Sequence, residues 1–174
     1  MHILRRITAA AILLVSGAAA ASAQTYQLGQ IEISVPWTRA MPPAADAGGG
    51  FMTIRNTGAT DDRLVGATSP VAAEVQIHTM DIADGVMRMR QLTDGLAIPA
   101  GATVRLAPGG FHVMFLDLPT PIAIDMPVSV TLVFERAGEI TIDLIVVPPG
   151  APAPDGAGGM GGAMDAPLAT PAAH

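Results

Sequence analysis

Short runs of alternating apolar and polar residues recur from residue 26 to residue 147, and turns rich in glycine, proline or aspartate separate them. Alternation with a period of two places every second side chain on the same face of an extended strand. No apolar pattern of helical spacing and useful length appears. This combination predicts an all-β fold, either a sandwich or a barrel.

The predicted strands are residues 26–35, 51–56, 63–67, 73–80, 86–92, 103–106, 111–118, 128–135 and 139–147. Asp84-Gly85 is a strong hairpin signal between two of these strands, and the last two strands form another hairpin. Residues 40–50 contain two prolines and end in a glycine triplet, so they are predicted to form a loop.

The two ends of the chain differ in composition from its middle. Arg5 and Arg6 precede a short apolar run, and Ala21-Ser22-Ala23 fits a small-residue cleavage site. We therefore predict a secretory signal peptide over residues 1–23 rather than an uncleaved membrane anchor, and an exported protein. A β-domain is predicted over 24–147, with no later segment apolar enough to enter a membrane, and a disordered tail rich in Pro, Gly and Ala over 148–174.

Charge and cysteine content exclude several classes of protein. Without residues 1–23 the chain has seven arginines and fifteen acidic residues, a formal net charge of −8, which argues against nucleic-acid binding and a polybasic membrane surface. The absence of cysteine excludes zinc–cysteine sites, a cysteine nucleophile and the blue-copper ligand set. No catalytic triad or nucleotide-binding fingerprint is present, so no enzyme is predicted.

Both histidines of the predicted β-domain begin a His-x-Met triplet, His78-Thr79-Met80 and His112-Val113-Met114. In a strand, residues i and i+2 share a face, so each triplet presents an imidazole beside a thioether. These are soft nitrogen and sulfur donors of the kind that suit Cu(I). A single methionine in a strand is more often a packing residue, and a single histidine is more often hydrogen-bonded than a ligand. The repeated combination favours a copper site.

The spacing His78, ten residues, Met89, 22 residues, His112-x-Met114 resembles the motif of the periplasmic copper chaperones called PCu(A)C. The similarity extends over about residues 31–146. It includes the segments Trp37-Thr38-Arg39-Ala40, Asp62-Arg63-Leu64-Val65-Gly66-Ala67, Asp84-Gly85-Val86-Met87-Arg88-Met89-Arg90, Ile98-Pro99-Ala100-Gly101 and Leu106-Ala107-Pro108-Gly109-Gly110.

The resemblance implies a cupredoxin-like Greek-key sandwich or barrel with one Cu(I) site, whose ligands are His78, Met89, His112 and Met114. It implies a periplasmic protein that delivers copper to the CuA centre of cytochrome c oxidase, directly or with Sco-type proteins. We expect this protein to be a monomer and not an enzyme. Met80 and Met87 lie outside the ligand set of the family. Packing is the expected role of Met80, although an alternate thioether at the rim of the site is left open.

Two other functions remain open from the sequence. The same site could serve copper resistance or uptake with another client, or the chain could be an exported β-sandwich binding module whose His and Met residues are incidental. The tail contributes Met160, Met164 and His174, which could recruit extra copper weakly. A solubilising role for this segment is the expected one.

Overall fold

The computed structural model describes residues 24–83 and 86–157, which form eleven β-strands. They are β1 (Thr25–Leu28), β2 (Ile31–Arg39), β3 (Gly48–Asn56), β4 (Asp62–Thr68), β5 (Glu74–Ala83), β6 (Val86–Gln91), β7 (Leu96–Ile98), β8 (Thr103–Leu106), β9 (His112–Leu116), β10 (Val128–Phe134) and β11 (Gly138–Val147). This described part contains no helix, and therefore none there of the length and apolarity that a membrane span requires. The predicted all-β fold class is confirmed.

The strands follow the order β6-β5-β9-β3-β2-β11-β10-β4-β7, with β1 added to β2 and β8 added to β3. The first part of β11 pairs antiparallel with β10, and its last three residues pair parallel with β2. The other strand pairings are antiparallel. Because β11 changes partner along its length, it joins the two halves of the sheet.

The main core is built by alternation along the strands. In β10, Val128, Val130, Leu132 and Phe134 are buried while the residues between them are partly exposed. Such alternation places one face of each strand against the core. A second, smaller cluster surrounds Trp37, whose ring lies 4.6 Å from that of Phe51 between centroids.

The structure differs from the predicted strands near the N-terminal end of the domain. The segment predicted as one strand is divided into β1 and β2, because Gly29, with φ of 57°, lies in a turn between them. The strand β2 then continues past Pro36, where a shift in register with β3 accommodates a residue that cannot donate a backbone hydrogen bond. The short strand β7 was not predicted.

The predicted loop over residues 40–50 is wrong at its end, because the glycine triplet Gly48–Gly50 belongs to β3 and pairs with β9. A Cβ atom at Gly50 would lie 3.1 Å from the Leu144 side chain and 3.2 Å from that of Phe115. Glycine therefore allows the close approach of neighbouring groups here, a role that composition alone does not distinguish from a flexible loop.

Three predictions fall partly or wholly outside the described residues: the signal peptide at 1–23, the Asp84-Gly85 turn and residues 158–174 of the tail. The strands on either side of residues 84–85, β5 and β6, pair antiparallel. Residues 148–157 are described, and they pack on the domain. The Arg39 side chain donates to the Ala151 carbonyl at 3.0 Å, and Ala157 is buried beside Trp37. The domain boundaries remain predictions.

Candidate metal centre

The two His-x-Met triplets lie at one edge of the sheet, where β6, β5 and β9 are neighbours. His78 on β5 is directly opposite His112 on β9, and Met80 on β5 is directly opposite Met89 on β6. Directly opposed residues, and residues two apart on one strand, share a face of the sheet. The four predicted ligands and Met80 are therefore on one face.

A cavity of about 290 Å³ opens on this face. Met89, His112 and Met114 line it, and so does Met80. The other lining residues are Ala47, Gly48, Gly49, Phe51, Pro108 and Gly109, so no charged side chain contributes to the wall. His78 does not line the cavity, but its ring centroid lies 5.7 Å from that of His112.

His112 is buried, with 5% of its surface exposed, and the turn before β9 fixes its ring. Its Nδ1 lies 3.0 Å from the carbonyl oxygen of Gly110. A carbonyl oxygen can only accept, so Nδ1 carries the proton and donates it. The neutral ring therefore keeps its lone pair on Nε2, the atom that remains available to a metal ion.

A chain of side-chain hydrogen bonds along β5 orients His78. The amide nitrogen of Gln76 lies 2.6 Å from Oε1 of Glu74, and its amide oxygen lies 2.6 Å from Nε2 of His78. The carboxylate accepts from the Gln76 amide, which turns the amide oxygen towards the imidazole. Nε2 of His78 therefore donates, and Nδ1 keeps the lone pair in the neutral ring.

Nδ1 of His78 is the only buried side-chain nitrogen or oxygen without a hydrogen-bond partner in residues 24–83 and 86–157. An unpartnered buried polar atom is unfavourable, and a metal ion is one species that would satisfy it. Gln76 and Glu74 were missed by the sequence interpretation. Their signal was present as the spacing Glu74-x-Gln76-x-His78, which places the three side chains on one face of a strand.

The side of the cavity formed by β3 depends on glycine. Gly49 is directly opposite Met114. The Thr38 hydroxyl donates a hydrogen bond to the carbonyl oxygen of Gly49 at 2.7 Å. A Cβ atom at Gly49 would lie 2.9 Å from Cζ of Phe51, closer than real Cβ contacts allow. Glycine at this position therefore lets the Phe51 ring lie against the backbone in the cavity wall.

The site depends on thioethers. In the part of the chain that the structure describes, no three His, Cys, Asp or Glu side chains come together as a metal-binding group. The sulfurs differ in access: Met89, on the edge strand β6, is 48% exposed, whereas Met80 and Met114 are half-buried. The arrangement offers neutral, soft donors at the surface rather than the carboxylates that harder ions prefer.

Solved structures with the same fold are PCuAC domains. The copper-bound PCuAC domain from PmoF2 is 32% identical, with a TM-score of 0.61 and coverage of 72% of this chain and 99% of that domain. The solution structure of CuI-DR1885 from Deinococcus radiodurans is 27% identical, with a TM-score of 0.54 and coverage of 72% and 82%. The protein therefore has a PCuAC-like domain with a cupredoxin-like β fold, as predicted.

The family follows from the sequence comparison. Residues 31–147 match the family described as "Putative lipoprotein LpqE-like". A relative from Leifsonia xyli subsp. xyli (strain CTCB07), named "Putative lipoprotein Lxx21020", is 39% identical over 139 residues, which cover 76% of this chain and 82% of the relative. The chain belongs to the LpqE-like family.

We predict that the pKa of His78 in the metal-free protein lies below its ordinary value of 6.5. Burial disfavours the protonated ring most, and the neighbouring His112 adds repulsion. The fold thus favours neutral His78. The stabilisation of the folded state that depends on the neutral His78 ring is complete above pH 6.5 and is lost as the pH falls through the lowered pKa. An NMR titration of the imidazole, assigned with His78→Gln, measures the midpoint.

The variant His112→Gln serves as the control for this titration. It removes the repulsion but leaves most of the burial, so the midpoint of His78 rises while staying below 6.5. A midpoint at or above 6.5 in the unmodified protein would contradict the interpretation.

Proposed function

We propose that this protein binds a single Cu(I) ion through His78, Met89, His112 and Met114 and passes it to another copper protein. Copper is the cargo in this function, so the protein performs no chemical conversion and is not an enzyme. It binds the ion, keeps it accessible at the surface and releases it by exchanging ligands with an acceptor.

The observation that carries the proposal is the pair of imidazoles. Nδ1 of His78 has no hydrogen-bond partner among the described residues, Nε2 of His112 keeps its lone pair because Nδ1 carries the proton, and the two rings are neighbours across β5 and β9. The thioethers of Met89 and Met114 lie on the same face. Two imidazoles and two thioethers form a neutral set that favours Cu(I) over Cu(II) and over hard ions.

The relatives support copper as the metal. The PmoF2 domain is described as copper-bound and DR1885 as its CuI form, and both share the fold at 32% and 27% identity. The fold provides the scaffold, and the His and Met residues of this chain supply a suitable donor set at one edge of it. Together these facts favour Cu(I) binding over an incidental grouping of side chains.

Release to a partner follows from the chemistry of the donors. Thioethers and neutral imidazoles keep their protonation state when the metal leaves, so release at neutral pH requires no proton at the donor site. Thiols of an acceptor release their protons as they bind the ion. An acceptor with cysteine thiolates is a stronger soft ligand, so the ion moves towards it. We propose the CuA centre of cytochrome c oxidase as the final acceptor, reached directly or through Sco-type proteins.

We also propose that the protein acts outside the cytoplasm, in the periplasm. The sequence of residues 1–23 has the pattern of a secretory signal peptide, and the relative from Leifsonia xyli is named a lipoprotein.

Removing one ligand at a time tests the site. We expect His112→Gln and Met114→Leu to weaken Cu(I) binding by about a hundredfold or more, beyond the range of outer-shell changes, because each removes a direct donor. Competition with a chromogenic Cu(I) chelator in anaerobic buffer measures the affinity.

The matched control for this experiment is Met126→Leu, since Met126 is half-buried but does not line the cavity. Its affinity should equal that of the unmodified protein. Unchanged affinity in both His112→Gln and Met114→Leu would rule out the assigned ligands. No measurable Cu(I) binding by the unmodified protein would instead favour a binding module without a metal.

The orientation of His78 gives a second test. Gln76→Leu removes the acceptor of the His78 Nε2 proton, so we expect about a tenfold loss of Cu(I) affinity. Gln91→Leu is the control, because Gln91 is directly opposite His78 on β6 but is exposed and makes no hydrogen bond to it among the described contacts. Equal affinities of the two variants would show that the Gln76 contact does not prepare the ligand.

An experiment in cells tests whether the CuA centre of cytochrome c oxidase receives copper from this protein. Deleting the gene should lower cytochrome c oxidase activity and CuA occupancy at low copper, and added copper should restore both. A strain expressing the Met114→Leu variant should behave like the deletion. Normal CuA loading in the deletion strain at low copper would instead favour a copper resistance or uptake protein with another client.

A further inference from the structure

Met80 is a third thioether at the candidate metal centre. It lines the same cavity as Met89, His112 and Met114, and it is directly opposite Met89 in the pairing of β5 with β6. Cβ atoms of directly opposed residues are about 5 Å apart, so the two flexible side chains can bring their sulfurs to one ion.

The order of the strands places Met80 between two of the proposed ligands. Met89 is on β6 and His112 is on β9, and β5 runs between them. Two strand spacings of about 4.8 Å each therefore separate the backbones that carry these ligands. An ion bound by both Met89 and His112 must lie over β5, and Met80 is on the face of β5 that they share.

Packing does not account for Met80. It belongs to neither hydrophobic cluster of the domain, and it is not among the partly buried residues that pack against them. Met41, in contrast, packs against the main cluster, and Met52 is part of it. The Met80 side chain is half-buried in the wall of the cavity, which Met89, His112 and Met114 also line.

We propose that Met80 is a Cu(I) ligand that exchanges with Met89, an inference that rests on the proposed function. As the Cu–S bond to Met89 breaks, a Cu–S bond to Met80 forms, and neither a proton nor an electron is transferred. Met89 is 48% exposed on the edge strand, so it can turn towards an acceptor while Met80 and the imidazoles still hold the ion.

The first test observes each methionine separately. The protein is labelled with ¹³C at the methionine methyl groups, the signals are assigned with single Met→Leu variants, and Cu(I) is added anaerobically to one equivalent. We expect the methyl signals of Met80, Met89 and Met114 to move, while those of Met52 and Met126 stay in place.

The outcomes of this test separate the two proposals. Movement of Met89 and Met114 with a stationary Met80 would overturn the role of Met80 and leave the proposed function intact. No movement at any methionine would overturn both.

The second test excludes a shift caused by proximity alone. Met80→Leu conserves volume and apolarity but removes the sulfur, so we expect Cu(I) affinity to fall by about tenfold. Met87→Leu is the matched control, since Met87 lies on β6 on the same face as Met89 but is 61% exposed and does not line the cavity. Affinity of Met80→Leu within about twofold of the Met87→Leu control would overturn the proposal.

Discussion

The antiparallel register of β5 with its two neighbours is the constraint on which the candidate metal centre depends. Ile77 and Thr79 alternate with His78 and are buried on the opposite side of β5, and Val113 alternates with His112 in the same way on β9. A slip of one residue would turn the apolar side chains outwards and the donors inwards. Burial of the core residues therefore maintains the alignment of donors that take no part in the main core.

The chemistry of the cavity follows from what its wall lacks as much as from its donors. The protein carries a formal net charge of −6, yet no charged side chain lines the cavity. Selection of a metal by this wall would depend on softness rather than on charge. Gly49 leaves room for the Phe51 ring in the wall, and the hydrogen bonds of Gln76 and Gly110 determine which nitrogen of each imidazole remains available.

Alternation predicted most of the strands because burial of one face leaves a direct record in the sequence. Alternation was less accurate where backbone geometry determines the ends of the strands. Gly29 divides a continuous-looking run into β1 and β2, and the triplet Gly48–Gly50 is a strand because β9 packs closely beside it. Composition favours a loop for such a triplet, since the contacts that require glycine come from residues distant in sequence. The sequence pattern also did not indicate a role for Gln76, because that role depends on the hydrogen bond between its side chain and His78.

The amino-acid sequence by itself determined the types of donor, their order along the chain and the sharing of a face within each His-x-Met triplet, because a strand has a fixed period of two. Only the tertiary structure decided that the triplets face each other across β5 and β9, and that Met80 joins Met89 in the cavity wall while His78 stands beside it. Strand order and register arise from packing the whole core, and no local pattern encodes them.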